Sequence, residues 1–322
     1  MQSEPVQRWN DLSDVPAGFG PSAVTIGNFD GVHRGHHAVL GQVVDRARAA
    51  GLRAVAITFD PHPLAVLYPD RAPEPLSTTD HKLELLAAAG LDAVLVMPFT
   101  RELALWSPRR FVQEVLVDAL GAKDVVVGSD TRFGYRNSGD VDTLRELGAE
   151  LGFTVQVVAE LGRREQQRRW SSTWVRELVA EGEVAAAAEV LGRPHRVTGK
   201  VVDGDHRGRE LGYPTANLEP GAVGAVPADG VYAGWMLRAS SSERLPAAIS
   251  VGTNPTFDGT VRRVEAYVLD RTDLDLYGEV VAIEFVERLR PTLRFDGIEP
   301  LIRQMADDVL RCRQVLGVSS PV

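Results

Sequence analysis

The chain reads as two domains of different class: an α/β half built on a doubly wound parallel sheet, then a smaller antiparallel β half that ends in a helix. Two observations predict this. Over residues 20–158, short and almost wholly apolar runs alternate with helical patterns. Strands buried on both faces and joined by βα crossovers give that pattern. After Pro194 no long helical pattern occurs before the last 25 residues, and five short strand patterns separated by Gly, Pro and Asp turns stand there instead. A length of 322 residues agrees, since a domain averages roughly 150 residues. We place the boundary near residue 187, giving domains 1–187 and 188–322.

In order, residues 1–20 are polar with scattered Pro and Gly and predict a short leading strand and loop. Residues 22–26 form a strand pattern that runs directly into Gly27. Residues 37–50 are helical, with Val39, Leu40, Val43, Val44 and Ala47 on one face and Gly51 as terminator. Further strand patterns lie at 54–59, 93–97, 123–127 and 153–158, with helices at 80–89, 108–120 and 140–152. Two short helices follow at 172–180 and 184–191. The late strand patterns occupy 196–202, 231–237, 245–251, 261–269 and 280–289, and 299–316 is a closing amphipathic helix. Those five strands suit either a small barrel or a sandwich.

Hydrophobic residues make up 44% and charged residues 25%, an ordinary globular balance. The net charge of -9 argues against a nonspecific nucleic-acid or anionic-membrane surface, while local basic groups can still hold phosphates. One cysteine, Cys312, excludes a disulfide framework and a cysteine metal cluster. No stretch reaches about 18 apolar residues, and the first residues lack a basic-then-apolar signal pattern. The expectation is a cytoplasmic protein with small-molecule substrates and no nucleic-acid or membrane partner, free to form a homo-oligomer.

The densest chemical signal is Gly27-Asn28-Phe29-Asp30-Gly31-Val32-His33-Arg34-Gly35-His36, at the end of the first strong strand. Ligands of open α/β sheets bind outside the carboxyl ends of strands. The helix that starts there aims its N-terminus at that crevice, a ready anion site. His33 and His36, three apart, can face the same way and donate to phosphate oxygens where charge develops. The plain alternative for one histidine is a surface or capping role; the composite of Gly, Asn, Asp and paired His favours phosphate. A metal role for the pair is the weaker reading. Neither a dinucleotide fingerprint nor a Walker A loop is present. Three further pieces are weak alone and follow the same logic: the strand-end loops Asp60-Pro61-His62-Pro63 and Gly128-Ser129-Asp130-Thr131-Arg132-Phe133-Gly134, and the helix start Ser171-Ser172-Thr173-Trp174-Val175-Arg176. Its hydroxyls suit a cap and Arg176 suits phosphate. Arg163, Arg164, Arg168 and Arg169 read as a solvated loop, with a triphosphate role as the lesser alternative.

In the second half, Gly199 and Lys200 are followed by Gly204, Gly208, Arg209, Gly212 and the run Pro214-Thr215-Ala216-Asn217. Closely spaced loop N–H groups can form an anion nest. Thr215 and Asn217 offer oxygens fit for Mg²⁺ and phosphate. The alternative is a β domain with ordinary turns. Glu265 lies in an alternating strand, opposite in face to Val264, Ala266 and Val268 and shared with Tyr267. It is either the base for phosphoryl transfer or an ordinary solvent-facing glutamate. The turn 252–257 is compact enough to line a pocket.

The His33-x-x-His36 segment resembles the nucleotidyltransferase signature. Joined to Thr58-Phe59-Asp60-Pro61-His62-Pro63, Phe133-Gly134, Arg136-x-x-Gly139 and Ser171-Ser172-Thr173-x-x-Arg176, it resembles the FAD synthetase module of the prokaryotic bifunctional riboflavin kinase/FAD synthetase family. The second half resembles that family's riboflavin kinase module through Pro214-Thr215-Ala216-Asn217, residues 252–257, Glu265, Tyr277-Gly278-Glu279 and the final helix. The resemblance spans residues 20–315. It implies a nucleotidyltransferase-like doubly wound sheet followed by a six-stranded antiparallel barrel with a C-terminal helix. It implies ATP as substrate, riboflavin, FMN and FAD as substrates and products, and Mg²⁺ as metal. It assigns Gly27, Asn28, His33, His36, His62, Asp130, Ser172, Thr173 and Arg176 to adenylyl transfer. Gly199, Lys200, Gly208, Arg209, Gly212, Pro214, Thr215 and Asn217 go to kinase nucleotide binding, with Thr215 and Asn217 on the metal and Glu265 catalytic. One departure stands out: Asp130 occupies a position where the family pattern has asparagine. An ionised carboxylate only accepts hydrogen bonds and repels phosphate. A kinase with a weakened FAD synthetase, a flavin-binding protein without catalysis, and a pantetheine or nicotinate adenylyltransferase are the competing expectations. The last explains only the first half.

Overall fold

The computed structural model describes residues 6–159, 162–163, 168–204, 212–239, 241, 243–256 and 259–319, with the backbone alone at 163, 253–256 and 259–261. The chain divides into two compact units: Met1–Pro73 with Thr79–Trp170, and Glu74–Thr78 with Ser171–Val322.

In the first unit, six strands form one parallel sheet. They are β1 (Gln7–Trp9), β2 (Ser22–Ile26), β3 (Arg53–Asp60), β4 (Ala93–Pro98), β5 (Ala122–Gly128) and β6 (Thr154–Val158), in the order β1-β4-β3-β2-β5-β6. Strand residues alternate between two cores. Val24, Val55, Ile57, Leu95, Val125 and Val127 pack on one face with Val112, Leu116 and Leu144. Ala54, Ala56, Val94, Val96 and Val126 pack on the other with Leu40, Val43 and Leu86. Helices therefore cover both faces: α1 (Arg34–Ala50) and α3 (Thr79–Ala88) on one, α4 (Pro108–Phe111) and α5 (Val141–Leu151) on the other, with a short α2 (Pro63–Leu67) after β3. This is the doubly wound sheet expected. Two local predictions shift. Helix α1 begins at Arg34, not residue 37, because His33 caps it. The helix predicted over 108–120 continues past Phe111 with π-type bonding over Val112–Ala119. The arginine loop is partly a two-stranded ribbon, β7 (Gly162–Arg163) with β8 (Arg168–Arg169), while Arg164 lies outside the described residues.

The second unit opens with α6 (Ser172–Glu181) and α7 (Val184–Leu191), and Val184 packs into the barrel core. Six antiparallel strands follow: β9 (His195–Val202), β10 (Thr215–Leu218), β11 (Gly230–Arg238), β12 (Arg244–Thr256), β13 (Gly259–Val268) and β14 (Val280–Arg290). They close in the order β10-β13-β12-β11-β14-β9, which decides for a barrel over a sandwich. The strand absent from the residue-level reading is β10. It has four residues, follows a proline, and turns only Ala216 and Leu218 inward. Helix α8 (Ile298–Leu316) seats buried Cys312 beside Ala233 and Leu289. Burial pushes its thiol up to about 11, so the residue is a small core hydrophobe rather than a reactive group. Arg290 on β14 grips buried Asp308 of α8 with two nitrogens, at 2.7–3.0 Å.

Candidate active sites

The order of the first sheet reverses at β2: the chain adds β3 and β4 on one side and β5 and β6 on the other. The carboxyl ends of β2 and β5 therefore border a topological switch point, where α/β sheets bind ligands. The turn after β2 is fixed from both ends. The Gly27 amide donates to Ile57 O at 3.0 Å, and Thr58 Oγ1 on β3 donates to Asn28 O at 3.0 Å. Phe29 and Val32 take positive φ of 47° and 36°, a costly state for a non-glycine residue. Both are buried, and their packing holds the turn. A Cβ on Gly27 would lie 3.0–3.2 Å from the Phe29 ring, so a side chain there would force that buried ring to shift.

This turn delivers His33 to the N-cap of α1, where its Nδ1 accepts from the His36 amide at 3.3 Å. Since Nδ1 accepts, the ring's own proton lies on Nε2. His33 is 6% exposed, and its ring stacks on His36 with centroids 3.7 Å apart. The capping alternative is what His33 shows directly: its Nδ1 holds the first turn of α1. Gly35 belongs to the same construction, because a Cβ there would lie 3.0 Å from His33 Nδ1 and Cε1.

His62, after β3, caps α2 by accepting from the Leu64 amide at 3.2 Å. Asp130, after β5, is exposed, and its Oδ2 lies 3.1 Å from Arg169 Nη1 of the β8 strand. The bare repulsive carboxylate expected from the sequence is therefore partly neutralised by an arginine read there as loop. Asn28, His33, His36, His62 and Asp130 all occupy carboxyl-end segments of the adjacent strands β3, β2 and β5.

In the second unit, Ser171 caps α6, its Oγ accepting from the Trp174 amide at 3.2 Å. The capping duty expected of this segment falls on Ser171, not on Ser172 or Thr173. Arg176, one turn on, donates from Nε to Glu74 O at 2.7 Å.

The barrel assembles the second constellation by register. Asn217 on β10 stands opposite Glu265 on β13, and Thr215 opposite Tyr267. Their neighbours Ala216, Leu218, Val264 and Ala266 are buried, so the four polar or aromatic residues share the outer face. Directly opposed side chains lie within about 5.5 Å at Cβ. Asn217 Nδ2 donates to Thr215 Oγ1 at 3.3 Å, which leaves the amide Oδ1 as an acceptor for a cation. A Cβ on Gly204 would lie 2.4 Å from Asn217 Nδ2, so the strand β9 exit presses against this pair. Gly212, at φ 86°, leads into Pro214. Gly199 has a packing reason of its own, since its Cβ would strike Ala222. Lys200 is exposed on β9, and its amide donates to Glu219 at 3.3 Å. Gly208, Arg209 and Phe257 lie outside the described residues. Among the described residues no group of three or more His, Cys, Asp or Glu is placed to hold a metal. A hard cation there would need the Thr215–Asn217 oxygens together with substrate phosphates, as Mg²⁺ commonly does.

Fold and site define a two-part phosphotransfer protein: a nucleotidyltransferase-type sheet followed by a kinase-type barrel. The FAD synthetase family model matches residues 17–174 and the riboflavin kinase model residues 191–316. The bifunctional riboflavin kinase/FMN adenylyltransferase of Escherichia coli K12 is 37% identical over 92% of this chain and 94% of its own length. The Listeria monocytogenes protein of the same description is 36% identical over 93% and 91%. A crystal structure described as a macrolide-efflux protein from Streptococcus pneumoniae matches with a TM-score of 0.84 and 29% identity, over 96% of this chain and 98% of that one. The efflux in that description is said of that protein; here no described helix is long and apolar enough to cross a membrane. The chain belongs to the bifunctional riboflavin kinase/FMN adenylyltransferase family. It is accordingly an enzyme with a riboflavin kinase domain and an FMN adenylyltransferase domain.

Proposed function

We propose that the two reactions are divided between the two constellations described. In the first, the phosphate of FMN attacks the α-phosphorus of ATP, the bond to the β-phosphate oxygen breaks, and pyrophosphate leaves. His33 Nε2–H and His36 donate to the phosphate oxygens as charge builds, and Asn28 and the N-terminus of α1 add neutral donors. The family resemblance assigns Ser172, Thr173 and Arg176 to the outgoing pyrophosphate. His62 shapes the β3 side of the ATP site and Asp130 the β5 side. In the second, Glu265 orients the ribityl 5′-hydroxyl of riboflavin and takes its proton as that oxygen bonds to the γ-phosphorus of ATP, the bond to the β,γ-bridging oxygen breaks and ADP leaves. Thr215 and Asn217 hold Mg²⁺, which when bound neutralises phosphate charge. Lys200, Gly199, Gly212 and Pro214, with Gly208 and Arg209, form the nucleotide cradle.

The observation that supports the reading is that Asn217, the proposed metal ligand, and Glu265, the proposed base, are opposed residues on one barrel face. The functional boundary near residue 187 is supported by where the two family matches stop and start. Substrates are small molecules, and reliance on ATP supports a cytoplasmic location. The test is a time course with riboflavin and Mg-ATP, separating FMN from FAD. FMN is expected first and FAD second. Steady FMN with no FAD, including from added FMN, would leave a kinase alone.

A further inference from the structure

Lys82 on α3 is 8% exposed, a rare position for an ammonium group. Its Nζ donates to the Phe59 carbonyl, next to the end of β3, at 3.2 Å. Its charge faces Asp60 and Asp30, and these two carboxylates partly offset the burial that pulls the lysine below its ordinary range. Both carboxylates lie in site loops. Asp30, itself only 9% exposed, sits between Gly27 and His36. Asp60 opens the loop of His62, and its Oδ2 accepts from Thr79 Oγ1, also on α3, at 2.9 Å. Left alone, two negative groups beside a triphosphate site would repel the substrate.

We infer that Lys82 is a positioning residue for adenylyl transfer: from α3 it neutralises Asp30 and Asp60 and ties the end of β3 to the turn after β2. The inference rests on the adenylyltransferase reading of those loops. Lys82 acts through the loops and touches no reacting atom. In sequence it looks like an ordinary helix lysine. The one signal was its place four residues before Leu86, on the apolar side.

The test uses the full chain and measures FAD formation from FMN against Mg-ATP concentration, at low and high salt, with thermal melts as a folding control. Wild-type protein that makes no FAD from FMN overturns the adenylyltransferase reading and this inference with it. With wild-type activity present, Lys82→Met is expected to raise the KM for ATP about tenfold, with the part owed to exposed Asp60 smaller at high salt. Lys82→Arg should stay within about threefold of wild type, and adding Asp60→Asn to Lys82→Met should recover about half the loss on a logarithmic scale. A merely structural lysine would lower kcat without salt dependence or rescue by Asp60→Asn. An unchanged KM in Lys82→Met, or equal damage from Met and Arg, overturns the inference. If Lys82→Met unfolds the first unit, Asp60→Asn alone decides: the KM for ATP should fall about twofold or more, and an unchanged or raised KM refutes it.

Discussion

Replacing Gly35 by alanine separates the needs of the helix from those of the phosphate site. Gly35 is the second residue of α1, and its φ lies outside the left-handed region, so the backbone accepts a side chain. Helix propensity alone favours alanine there by up to about 1 kcal/mol. The added Cβ, however, would stand 3.0 Å from His33 Nδ1 and Cε1. Carbon contacts relax near 3.5–4.0 Å, so the ring must withdraw by about 0.5 Å. It cannot withdraw freely, because its Nδ1 is bonded to the His36 amide and its face is stacked on His36 at 3.7 Å. A misplacement of about 1 Å costs as much as 10²-fold in rate, so about tenfold is expected here. FAD formation from FMN should fall by that factor, FMN formation from riboflavin should hold, and the melting temperature should stay level or rise. FAD formation at the wild-type rate would refute the role of the His33 ring. So would an equal loss of both activities.

Glu265→Gln keeps the shape of the side chain and removes its ability to take a proton; FMN formation should fall by about 10²- to 10⁴-fold while FAD formation from supplied FMN is retained. A kinase rate unchanged in that variant removes Glu265 as base. Asp130→Asn breaks the ion pair with Arg169, whose partners are 65% and 53% exposed, so the melting temperature should move by less than about 2 °C. If Arg169 already offsets the carboxylate, the KM for FMN should change by less than about threefold, and a tenfold drop would contradict the offset. Buried His195, whose Nε2 lies 2.7 Å from Ala225 O, is pushed down to about 4 by burial from an ordinary 6.5. The unfolded chain therefore takes up this proton first, and about 3 kcal/mol of stability should be lost as pH falls from 6.5 to 4. Denaturant melts of wild type and His195→Gln across that range check this: the variant should lose much of the slope, and an unaltered slope assigns the pH dependence elsewhere.

The parallel sheet was legible because its strands are buried on both faces and need no partner context to be seen as apolar runs. The His33-x-x-His36 turn was legible because glycines and paired histidines are rarely grouped by packing alone. What escaped was whatever depends on a neighbour far along the chain. Arg169 is exposed, as the solvated-loop reading has it, but its pairing with Asp130, 39 residues away, is not visible in the sequence. The carboxylates that face the Lys82 charge, Asp30 and Asp60, lie 52 and 22 residues away, so the sequence does not pair them with it. Strand β10 was missed because it is only four residues long: Thr215-Ala216-Asn217-Leu218 does alternate outward and inward, but two inward residues are too few to mark a strand.

The two sites differ in how their geometry is held, and this bears on what damages them. Thr215, Asn217 and Glu265 take their spacing from an antiparallel ladder, where a whole register must slip before one residue moves. Loop substitutions in the barrel should therefore leave the Asn217–Glu265 pair intact. His33 and His36 have no such ladder. They depend on a turn whose left-handed Phe29 and Val32 are kept in place by burial, and on glycines that leave room for rings. Strain of that kind persists only while the surrounding packing over-determines it. Small cavities or added methyl groups near Phe29, Val32 or Gly35 should therefore impair adenylyl transfer well before they unfold the sheet, whereas changes of similar size in the barrel core should show first as lost stability.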